Sequence, residues 1–188
     1  MSWEYQVEHR EGLNLFDELQ GLLLQATPQE LVNIQPISLF IDQPITKEEW
    51  GYIRQFHRLA HLALSSVFNG NLFDDVFEEE SSCLHRLKTL EVNGNFDSSS
   101  AEVLGRSLKH FTQLTKLEVD IVGNPVELPT LTPFISDLST LQHLGNHFSS
   151  RRLDGDGMRK VGSDLSKLTQ LRYLCVDRLV DGKDEESV

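Results

Sequence analysis

The residues able to do chemistry are few, and their spacing narrows them further. His143 and His147 stand four apart, the interval at which one helical face presents two zinc ligands, whereas His57 and His61 straddle an expected helix-to-strand junction and are expected to pack there or at the surface. Asp154-Gly155-Asp156-Gly157 opens like a calcium loop. Such a loop needs an oxygen ligand where Met158 stands and an acid where Leu165 stands, so the run is expected to make a turn and a helix N-terminus. Glu78-Glu79-Glu80 is expected on a solvated face or turn. No Gly-x-Ser-x-Gly, phosphate-binding glycine loop, dinucleotide fingerprint, His-Glu-x-x-His or Cys-x-x-Cys occurs. Cys83 and Cys175 are the two cysteines, too few for a disulfide framework. Reduced thiols and an intracellular chain, cytoplasmic or nuclear, follow as expectations. Neither catalysis, a cofactor nor a metal is expected.

Charge decides which partners are favoured. Asp and Glu number 29 against 17 Lys and Arg, a net charge of −12. A field of that sign repels phosphate backbones, so no direct nucleic-acid binding is expected. It suits a basic protein partner, although solubility alone also accounts for an acidic surface. Hydrophobic residues make up 39%, enough for a packed core. No apolar run approaches a membrane span, and Met1 to Gln6 lack the basic and apolar regions of a secretory signal.

The elements that must position these side chains are set by a repeat. An apolar motif, with apolar residues at a start and at three and five positions after it, recurs along the chain. It reads Ile34-Ile37-Leu39, Leu59-Leu62-Leu64, Leu87-Leu90-Val92, Leu114-Leu117-Val119, Leu141-Leu144 and Leu171-Leu174-Val176. Upstream apolar residues keep step with it at three positions before each start (Leu31, Phe56, Leu84, Phe111, Leu138, Leu168). Others recur six before (Ile53, Leu108, Ile135, Leu165) and ten before (Leu24, Phe77, Leu104, Leu131, Val161). Steps of four and three describe a helical face, and the final step of two describes a strand. Each unit is therefore expected to be a helix followed by a short strand. In that frame His143 and His147 lie in or just past a strand, where four steps span about 13 Å, too far for one metal.

With this pattern the chain resembles leucine-rich-repeat proteins, closest to the ribonuclease-inhibitor-like subtype, over roughly residues 24–176. The resemblance implies an α/β solenoid, a short horseshoe of about six units, with a concave parallel sheet and convex helices, and a protein-binding role. Physical reasoning agrees, because one helix-strand unit cannot bury its apolar face alone and stacked units share a core. The subtype places Asn or Cys eight residues after each start. Here only Asn95 does so, and Asn69 and Asn124 fall two residues later.

Three regions depart from the repeat. Asn146 replaces the aliphatic residue of the fifth strand, so either its amide bonds neighbouring backbone or the strand ends at Leu144. Residues Gly145 to Gly157 are expected to form a protruding loop carrying Arg151 and Arg152. At the start, Leu15, Leu19, Leu22 and Leu23 give 13–25 the spacing of an amphipathic capping helix. At the end, the acidic tail is expected to be disordered, leaving the strand at Val176 without a matching cap. Either the tail folds over that strand, another chain covers it, or the array continues. The expected organisation is a capping region at 1–30, the solenoid at 31–178 and the tail at 179–188.

Strand alternation then assigns a concave face. It comprises Pro36, Ser38 and Phe40; His61, Ala63 and Ser65; Thr89, Glu91 and Asn93; Lys116, Glu118 and Asp120; His143, Gly145 and His147; Tyr173, Cys175 and Asp177. Partner-binding candidates are Phe40, His61, Glu91, Asn93, Lys116, Glu118, Asp120, His143, Tyr173 and Asp177, with Arg151 and Arg152 as loop candidates. The expected function is a non-catalytic module that binds a protein partner through this face. The alternative is a structural subunit of a larger assembly, docked through its last strand or its convex helices.

Overall fold

The computed structural model describes residues 6–8, 38–41, 56, 59–65, 84–94, 98–121, 128–148 and 155–177. Its seven strands are β1 (Gln6–Glu8), β2 (Ser38–Ile41), β3 (His61–Ser65), β4 (Thr89–Gly94), β5 (Lys116–Ile121), β6 (His143–Phe148) and β7 (Tyr173–Asp177). They form one sheet in sequence order, parallel throughout. Parallel neighbours need a crossover, and α1 (Ser98–Leu108), α2 (Leu128–Ile135) and α3 (Gly155–Leu165) supply the three from β4 to β7. A 3-10 turn, Leu84–Arg86, precedes β4. The chain is a leucine-rich-repeat solenoid.

One column of leucines runs across the sheet. Leu39, Leu62, Leu90, Leu117, Leu144 and Leu174 stand in register on successive strands. Facing them are Ala101, Leu104 and Leu108 of α1 and Leu131 and Ile135 of α2, which join the same buried core. The link from helix to strand repeats a pair of tight turns. Phe111 N–H donates to the Leu108 carbonyl and Leu114 N–H to that of Phe111, at 3.0 and 3.1 Å. Leu138 and Leu141, then Leu168 and Leu171, repeat the pair one and two units later. The apolar residues spaced by three are thus the corners of these turns, which explains their recurrence.

Two close approaches tie the helices together. A Cβ on Gly105 would sit 2.3 Å from the Phe134 ring, so only glycine lets α1 and α2 pack this tightly. Pro133 lies inside α2 and has no N–H for the Pro129 carbonyl four residues back. Lys160 Nζ on α3 donates to that carbonyl at 3.0 Å.

The structure changes several expectations. The first motif shifts by two residues: Leu39 and Ile41, not Ile37 and Leu39, align with Leu62 and Leu64. Both pairs satisfy apolar alternation, and a shift of two leaves each residue on its face, so only backbone pairing decides. β1 is an additional strand, with a single apolar residue in register with Leu39 and too short for the pattern to show. β6 continues through Asn146, which pairs with Val119 and Val176, so it does not end at Leu144. The expected 145–157 loop is accordingly narrower, because β6 takes residues up to Phe148 and α3 begins at Gly155. Asp156 lies in the first turn of α3. The expected helix at 13–25, Arg151, Arg152, Glu78 to Glu80 and the tail at 179–188 lie outside the described residues. No described helix is long and apolar enough to cross a membrane.

Candidate functional site

Strand alternation turns every second side chain of β3 to β7 away from the helices. The parallel register brings these side chains into rows. His61, Thr89, Lys116, His143 and Tyr173 form one row, and Ala63, Glu91, Glu118, Gly145 and Cys175 the next. Adjacent strands are about 4.8 Å apart, so a long side chain in one row reaches its diagonal neighbour in the other.

A polar ladder results. His61 Nε2 lies 3.4 Å from Glu91 Oε1, and Lys116 Nζ lies 3.0 Å from that same oxygen. Lys116 Nζ is also 3.0 Å from Glu118 Oε1, and His143 Nε2 is 3.2 Å from it. The His143 ring then stacks on Tyr173, centroids 4.2 Å apart and planes 16° from parallel. Six side chains link five strands without a gap. His61 is close enough for charge attraction but out of line for a hydrogen bond. Its Nε2 is the one sealed side-chain polar atom lacking a hydrogen bond among the described residues.

The ladder is half open to solvent, so each pair contributes modestly to stability. Its arrangement matters more than its strength. In each glutamate Oε1 takes both contacts, and Oε2 makes none among the described residues. Burial opposes the charge of Lys116, but hydrogen bonds to Glu91 and Glu118 outweigh it and raise its pKa above the ordinary lysine value. The Tyr173 phenol is also raised, chiefly by Cys175 beside it, with further contributions from burial and from Glu118.

Gly145 makes the ladder possible. A Cβ there would lie 2.9 Å from Glu118 Cγ, where the glutamate chain crosses the sixth strand. Neither Gly145 nor Cys175 stood among the binding candidates. Their strand parity places them on the face, but nothing local marks a gap that a neighbour's side chain fills.

The other candidates are less connected. Phe40 is 40% exposed on β2, beside Ala63. Asn93 and Asp120 are in register one row beyond the ladder, and Asp120 makes no ion pair among the described residues. Asp177 pairs with His147 through backbone register, while its side chain lies outside the described residues. No group of three or more His, Cys, Asp or Glu that could hold a metal occurs among the described residues.

On the convex side Asp164 is buried between α2 and α3. Thr132 Oγ1 donates to it at 3.1 Å and Lys167 Nζ at 2.9 Å. The Lys167 hydrogen bond, the largest influence, holds its pKa below the ordinary carboxylate value against the opposing effect of burial.

No protein-family model matches the chain. No curated protein matches it either. Among solved structures, leiomodin-1 actin-binding site 2 is similar at TM-score 0.51 and 16% identity, covering 84% of this chain and 91% of that one. The tropomodulin C-terminal domain of Caenorhabditis elegans follows at TM-score 0.47 and 13% identity, covering 82% and 93%. The ribonuclease-inhibitor-like subtype is thereby corrected. Uneven units and a turn Asn matched only at Asn95 do not carry that subtype, and the solved structure this chain is similar to is leiomodin-1 actin-binding site 2, a likeness of fold alone.

Proposed function

We propose that the chain is a non-catalytic protein-interaction module whose partner lies across the concave strand face. The polar ladder from His61 to Tyr173 carries this reading, because a surface linked across five strands presents its groups in fixed relative positions. The partner is an extended or convex protein segment with hydrogen-bond donors for the Glu91 and Glu118 Oε2 atoms, which make no contact among the described residues. Exposed Phe40 and Tyr173 provide apolar anchors toward the two ends of the face. The test is capture of partners by the tagged chain and by the double variant Glu118→Lys, Asp120→Lys. The variant is expected to lose the partner and keep its circular dichroism. Retained capture overturns the proposal. Actin is the first defined protein to test, by cosedimentation, because the similar leiomodin structure is an actin-binding site.

A second reading rests on one observation. Leu174 is 48% exposed, whereas Leu144, its neighbour in the column, is 1% exposed. An exposed core-type leucine suits burial in an assembly through β7. Leu174→Arg would then dissociate the assembly in light scattering, and Glu118→Lys would not.

A further inference from the structure

The free end of the ladder has chemistry of its own. One face of the Tyr173 ring is covered by His143, and β7 is last in the strand order, so no strand among the described residues flanks the other face. The ring remains 51% exposed. Its surroundings are acidic. Lys116 is the one Lys or Arg among the described concave positions, and it is already shared by Glu91 and Glu118. Among the described residues Glu118 Oε2 makes no contact, and the Glu118 charge acts on the Tyr173 phenol.

A planar cation fits these features better than a compact one. Guanidinium stacks on an aromatic face and offers several N–H donors in its plane, whereas ammonium is a strongly hydrated point charge. A third planar group would extend the His143–Tyr173 stack on the ring face turned away from His143. We infer that the Tyr173 end of the concave face recognises an arginine side chain of the partner in preference to lysine. This rests on the proposed concave-face function and supplies its specificity: charge complementarity selects a basic segment, and the open ring selects arginine within it.

Blocked Gly-Arg-Gly and Gly-Lys-Gly peptides, titrated into the full chain and followed by NMR, test the inference. The arginine peptide is expected to bind roughly three-fold more tightly, in line with a cation–π contact at an exposed site. Signals of Tyr173 and His143 should move most. Tyr173→Leu should bring the ratio to one, and Tyr173→Phe, which keeps the ring, should preserve it. Equal affinities in the unmodified chain, or a preference that survives Tyr173→Leu, overturn the inference. If the ratio is one while Glu118→Lys, Asp120→Lys still abolishes partner capture, arginine selection fails and the concave-face function stands. If neither peptides nor partner sense the face, both fail.

Discussion

The fifth and last strands carry the same repeat positions and meet different fates. On β5 Leu117 is fully buried, and Lys116 and Glu118 are engaged from both sides. On β7 Leu174 is half exposed and, among the described residues, Tyr173 has a ring neighbour on one face only. Position within a repeat therefore decides which way a side chain points, and position within the array decides how far it is covered. The last unit compensates with polar contacts from its helix. Asp164 to Thr132 and Lys160 to the Pro129 carbonyl tie α3 to α2.

Deleting the same atoms at the two positions sharpens this contrast. Leu117→Ala should cost about 2–5 kcal/mol, since a cavity opens in a filled core. Leu174→Ala should cost less than about 1 kcal/mol in urea unfolding, since solvent already reaches it. Equal costs would mean that β7 is covered as fully as β5. The polar tie comes next in size. Asp164→Ala leaves buried Thr132 without its acceptor and should cost about 1–3 kcal/mol. Because the folded pKa of Asp164 is lowered, its contribution is present above the ordinary value of about 3.9. It is lost as pH falls through the folded value, so acid titration should bring the two proteins' stabilities together.

Smaller effects are expected on the concave side. Gly145→Ala should cost about 1 kcal/mol, because the Glu118 chain must move off the sixth strand. The larger consequence is loss of the His143 contact, seen as a changed His143 ring signal by NMR. Lys116 gives the smallest and most conditional effect. Its folded pKa is raised, so its contribution is complete below the ordinary value of about 10.4 and disappears as pH rises through the folded value. Lys116→Met should accordingly destabilise the protein near neutrality and converge with the parent at strongly alkaline pH.

Much of the fold was legible in the chain. Leucines at fixed offsets from Leu59, Leu87, Leu114 and Leu141 carry strand parity, helix facing and repeat boundaries together, because all three follow from local periodicity. Membership of the concave face was equally legible, since alternation needs no partner. The first unit shows the limit. Ile37-Leu39 and Leu39-Ile41 have identical parity, and choosing between them required the pairing with β3. Asn146 shows it again: the residue looks like a strand end, yet parallel strands on both sides hold its backbone in the sheet.

The composition of the ladder was visible, but its wiring was not. Glu91, Glu118 and Asp120 read as an acidic cluster until Lys116 is placed between two of them. The sequence by itself determined the repeat, the two faces of each strand and an acidic chain. Only the tertiary structure decided that Glu118 crosses Gly145 to meet His143, that His143 stacks on Tyr173, and that Leu174 is left half exposed. The physical reason is that periodicity is a property of neighbours along the chain, whereas pairing and burial depend on neighbours some 25 to 30 residues away, one repeat across the sheet.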